Sequence, residues 1–160
     1  MKAIADYLRQ TIYEVLPALQ AISDEDASIK PLPQKWSKKE ILGHLIDSAT
    51  NNHHKFVRTM AQPHMEFVGY AQDFWVAGQY YNSRNWEEIV TFWHVYNLHL
   101  AHIIESVNPA YLQNTISISG SKPFTLAFIM EDYVEHMKHH LRVILPEANI
   151  TSKFQNVYNA

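Results

Sequence analysis

Three histidines crowd the stretch VEHMKHHLRVI at residues 134–144: His136, His139 and His140. On a helix His136 and His140 lie one turn apart on one face while His139 points elsewhere, because side chains four apart stack along the axis. Such a pair can grip one ion. A third nitrogen from another segment would leave positions for water or substrate, the arrangement of a catalytic rather than a structural site. His44, in EILGHLID, is the candidate for it. An ion so held acidifies bound water or a bound thiol, or polarises a carbonyl. Asp132, one turn before His136, is placed to orient that ring.

The same residues have a plainer reading. Histidines four apart also occur on helix surfaces and as hydrogen-bonders at core edges, and spacing alone leaves both readings open. His44 taken singly favours the plainer one. His53, His54, His64, His99 and His102 read as solvated or loop residues. Asn97, inside an apolar stripe, reads first as a bundle-interior hydrogen-bonder.

Positioning these residues requires helices, and apolar spacing is helical almost throughout. Helix 1 is expected over about residues 2–22, with Pro17 as a kink. WSKKEILGHLIDS opens helix 2, about 38–60: Ser37 caps, Glu40 completes a capping box and Trp36 can staple onto Ile41. Residues 62–84 form a long aromatic connection, too long for a simple turn. Asn85 and Glu88 open helix 3, about 86–107, before Pro109. NTISISGSKP alternates like a small hairpin or extended loop. Helix 4 runs from about 125 to 145 and stops at Pro146. The expected fold is an all-α four-helix bundle, one domain over 1–147, with a loose tail at 148–160.

Composition narrows the function. With 160 residues the chain can bury a core without metal or disulfides to rescue it. A formal net charge of −3 without a Lys/Arg block argues against nucleic acid. Cysteine is absent, so any thiol chemistry takes its sulfur from a substrate. No apolar run suits a signal peptide or a membrane span, and the default expectation is cytoplasmic. Repeated Glu-x-x-His, His-Glu-x-x-His, a Gly-rich phosphate loop and a Gly-x-Ser-x-Gly elbow are all missing, which removes di-iron, zincin, phosphoryl-transfer and serine-hydrolase motifs.

KWSKKEILGHLIDS (35–48), GYAQDFW (69–75), FWHVYNLHL (92–100) and DYVEHMKHHLRVI (132–144) together resemble the DinB-like four-helix bundles, most closely the YfiT branch of bacillithiol-transferase-like metal proteins. The likeness covers about residues 5–145. It implies a divalent ion, zinc or nickel, on the histidines matching His44, His136 and His140. It also implies joining of a low-molecular-weight thiol to an electrophile, or isomerisation of a thiol adduct. Asn51, Tyr70, Trp75, His94 and Asn97 fall at or near the family's pocket-lining segments. A non-catalytic bundle that binds a metal or small ligand, in a stress-response role, is the alternative. A homodimer through the aromatic faces is a further expectation.

Overall fold

A computed structural model describes residues 1–158. Helix α1, Lys2–Gln20, buries Ala5, Leu8, Ile12, Val15 and Leu19, a stripe at helical spacing, and carries Pro17 near its end. Where the sequence suggests only a break, a short helix α2 forms over Asp24–Ser28. The Ser23 hydroxyl accepts from the Asp26 amide, and the acidic first turn suits the helix dipole.

Helix α3, Lys38–Met60, starts on the expected capping box: Ser37 Oγ accepts from the Glu40 amide and Glu40 Oε2 from the Ser37 amide. Strand β1 (His64–Phe67), helix α4 (Gln72–Gly78) and a 3₁₀ turn (Tyr81–Ser83) then occupy the long connection. Helix α5, Trp86–Ser106, is capped by Asn85, which accepts from the Glu88 amide. Strands β2 (Thr115–Ile118) and β3 (Phe124–Thr125) precede helix α6, Leu126–Ile144, where Thr125 accepts from the Phe128 amide.

The four long helices close a ring. Helix α1 packs on α5 and α6, and α3 packs on the same two from the other side. Their facing stripes form one core that includes Trp93, Phe56, Leu45, Leu100 and Leu126. This is a four-helix bundle.

Two features depart from an all-helical chain with a loose end. Of the two expectations for 114–123 the hairpin is the one formed, with its second strand just beyond that segment at Phe124–Thr125, and β1 joins it in a three-stranded sheet, parallel to β2 in the register His64↔Thr115, with β3 antiparallel on β2. Residue spacing cannot reveal a parallel pairing between segments fifty residues apart. The tail also docks on the bundle instead of hanging free. Ser152 Oγ donates to the Glu135 carbonyl at 2.7 Å, the Lys153 amide donates to Glu135 Oε2 at 2.6 Å, and the Tyr158 hydroxyl donates to Asp132. The domain therefore runs past residue 147, with positions 159 and 160 lying outside the described residues.

Candidate metal centre

His44 sits in the first half of α3, and its burial follows from the helix start. Once Ser37 and Glu40 fix the first turn, the stripe Ile41, Leu45, Ser48 faces inward and His44 turns toward α6. Gly43 lets another element close over this turn, since a Cβ there would lie 2.3 Å from the Tyr81 ring. The Tyr81 hydroxyl and Gln79 Nε2 each donate to Asp47 Oδ1 at 2.7 Å. That carboxylate pins the connection after α4 against α3.

His136 and His140 come from successive turns of α6. The ring centroids are 5.4 Å apart for His44–His136 and 4.7 Å apart for both His44–His140 and His136–His140. One nitrogen of each ring lies within 4.8 Å of the others. The structure thus brings together the three predicted ligands. His139 turns aside, against Phe154 at 5.6 Å.

Burial decides the charge of these rings. It holds the His44 pKa down to about 4, with the Asp73 carboxylate opposing weakly. It pushes His140 down to about 3, aided by neighbouring His44 and His139, and takes His136 well below its ordinary value, aided by His140 and His44. At neutral pH all three are neutral imidazoles with lone pairs to give. Among the described residues both ring nitrogens of His44 are buried without any hydrogen-bond partner, in a residue only 1% exposed. Such orphaned buried atoms are costly. A divalent ion would supply the partner for one of them, and three neutral nitrogens are the donor set such an ion accepts.

The residue orienting His136 is Ser48, not Asp132. Ser48 Oγ lies 3.3 Å from His136 Nδ1, and Asn52 Nδ2 donates to the same oxygen at 3.3 Å. Asp132 is instead taken up by the Tyr158 hydroxyl. Four-residue spacing put Asp132 on the right face, but the docked tail claims its oxygen. Trp36 rests over His44 with centroids 5.1 Å apart, in addition to sharing a cleft wall with Ile41.

A cavity of about 480 Å³ opens beside His44 and His136. Ser48, Asn52 and Lys55 form its α3 wall, Tyr70 to Asp73 close one side, and Phe154, Asn156 and Tyr158 close another. A second cleft, lined by Leu32, Trp36, Ile41 and Val143, reaches His140, and Asp73 borders both.

Of the five predicted pocket residues only Tyr70 lines the cavity. Trp75 packs behind it, ring centroids 5.0 Å apart. Asn51 donates to the Asp47 carbonyl at 2.9 Å. Asn97, fully buried, donates to the Trp93 carbonyl and accepts from the Tyr133 hydroxyl, so it ties α5 to α6 inside the core. His94 faces Tyr13 of α1, centroids 6.2 Å apart. Asn51 and Asn97 are buried on inward helix faces, and an inward face does not distinguish core from cavity. Sequence reasoning missed Ser48, Asn52, Lys55 and the tail aromatics. His44, Ser48, Asn52 and Lys55 do share one helix face, which was a usable signal.

Fold and site together define a helical bundle with a candidate three-histidine metal centre. The chain belongs to the DinB superfamily, whose family profile matches residues 7–144. Among solved structures it is similar to YfiT from Bacillus subtilis, described as a probable metal-dependent hydrolase with an unusual four-helix bundle topology. The TM-score is 0.74 at 14% identity, over 92% of this chain and 89% of that one. At that identity the likeness is one of fold. No curated protein matches the chain.

Proposed function

We propose that this protein is a metal-dependent transferase that joins a low-molecular-weight thiol to an electrophilic small molecule, with His44, His136 and His140 holding zinc or nickel. The observation that carries the reading is the convergence of three neutral imidazoles, His44 buried with both nitrogens unpartnered and His136 and His140 half-buried, with the cavity opening beside His44 and His136 and the second cleft reaching His140. His44, His136 and His140 would hold a divalent ion without neutralising its charge, and the chemistry it would supply is a lowered pKa for a thiol at neutral pH.

The chain's own residues do the rest. Ser48 Oγ, 3.3 Å from His136 Nδ1, is placed to accept a proton held on that nitrogen, the tautomer that would leave Nε2 to ligate. Trp36 and the Tyr70 to Asp73 segment restrict water on either side of His44. The polar cavity suits the thiol, and the cleft of Leu32, Trp36, Ile41 and Val143 gives an apolar electrophile access from the His140 side. In the reaction the thiol proton passes to solvent and the sulfur lone pair forms the C–S bond. The electrophile's leaving group departs with the electrons of the bond it breaks.

The test is to load the protein with zinc or nickel and follow consumption of a thiol panel with a generic electrophile such as chlorodinitrobenzene. Metal-dependent turnover that His140→Ala removes supports the reading; turnover indifferent to that substitution contradicts it. The description of YfiT favours a second reading, hydrolysis by water bound at the same place, which ester and amide substrates would report. Stable metal binding without turnover on either panel would identify a binding module.

A further inference from the structure

Lys55 stands on the same face of α3 as His44, Ser48 and Asn52, and lines the same cavity. Its surroundings are unusual for an ammonium. The Phe67 ring centroid lies 5.4 Å from Nζ and the Tyr158 centroid 6.0 Å. Cation–π contacts of this kind offset only part of the lost hydration. Among the described residues no carboxylate comes within 4.0 Å of it and no hydrogen bond reaches it. Asp132, which lines the same cavity, attracts Lys55 from beyond ion-pair distance while its carboxylate accepts from the Tyr158 hydroxyl. Among the described residues this half-buried cation has no direct ion pair and no hydrogen bond, and it opens to a cavity, where a further anionic group could pair with it.

Resting on the thiol reading, we propose that the Lys55 ammonium seats an anionic oxygen group of the thiol substrate. The cavity then selects an extended thiol whose carboxylate lies well away from its sulfur. The distance sets the class. Seven residues separate Ser48, which faces His136, from Lys55, roughly 10 Å of helix axis, and a lysine side chain leans back toward the helix N-terminus to shorten that span. A sulfur at the triad and a carboxylate at Lys55 therefore belong to a molecule with several bonds between them. Asn52 lies between; its Nδ2 donates to Ser48, which leaves Oδ1 to accept from a polar linker. Phe67 and Tyr158 keep the ammonium poorly hydrated, which strengthens a charge-assisted hydrogen bond there.

The experiment is calorimetric titration of the zinc-loaded protein with three matched probes: mercaptohexanoate, mercaptohexanol, which lacks the carboxylate, and hexanoate, which lacks the thiol. The proposal expects mercaptohexanoate to bind about tenfold or more tighter than mercaptohexanol, the ordinary worth of one charge-assisted hydrogen bond. Lys55→Met should remove that preference while leaving mercaptohexanol unchanged, and Lys55→Arg should restore it. Equal binding of the two thiols to the unaltered protein overturns the seat and leaves the thiol reading standing. A preference that survives Lys55→Met overturns it too. Lys55-dependent binding of hexanoate with no gain from the thiol supports the seat and removes the thiol reading.

Discussion

Ser48 and His136 face each other across the α3–α6 interface, with Oγ 3.3 Å from Nδ1. A proton on Nδ1 directs Nε2 to an ion, and partners of this kind typically contribute ten- to hundredfold to metal affinity. Ser48→Ala should weaken zinc binding by roughly tenfold, read by competition with a chromogenic chelator. Asp132→Asn, at the position bonded to Tyr158 instead, should change it far less.

Acid should act on the metal-free protein through the same histidines. Their folded pKa values are depressed, His44 to about 4 and His140 to about 3, against about 6.5 when unfolded. Between those values the unfolded chain binds more protons, so stability is full above about pH 6.5 and falls as pH drops toward about 4 and then 3. Urea titrations at stepped pH should show this decline, and His44→Gln should shrink it.

The docked tail predicts protease resistance. Trypsin should cut slowly after Lys153, whose amide is bonded to Glu135, and Phe154, 5.0 Å from the His136 ring, anchors that segment. Phe154→Ala should release the segment and speed cleavage several-fold, with the bundle's helical signal unchanged by circular dichroism.

Asn97 is a core tie, which gives it a different signature from a pocket residue. Tyr133→Phe removes the hydroxyl that Asn97 Oδ1 accepts and leaves a buried acceptor unpaired, costing about 1–3 kcal/mol in a urea titration. Metal content should stay the same. Gly43→Ala, by contrast, should cost about 1–3 kcal/mol through overpacking on Tyr81 and should also disturb the neighbouring His44.

Local signals carried much of this structure. The Ser37–Glu40 box, the Asn85 and Thr125 caps and the apolar stripes lie within a few residues of one another, so the long helices were legible from spacing. His44, His136 and His140 each border a stripe that must face a neighbouring helix, which made them candidates; spacing left the plainer reading open, and the family resemblance selected the three as ligands. What spacing could not show depends on contacts between distant segments. The pairing of β1 with β2, the claim of Tyr158 on Asp132 and the aromatic surroundings of Lys55 all arise from chain brought in from far away. Asn97 and His94 show the converse, since inward polar residues serve the core as readily as a cavity.

Convergence of three imidazoles on one ion is most directly measured by elemental analysis of untagged protein, alongside the melting temperature with added zinc or nickel. A ligand that binds only the folded state must raise that temperature. The account predicts one divalent ion per chain, a rise in melting temperature on metal addition, and loss of both in His44→Ala and His140→Ala. Protein that holds no metal, and melts identically with and without either ion, would contradict it.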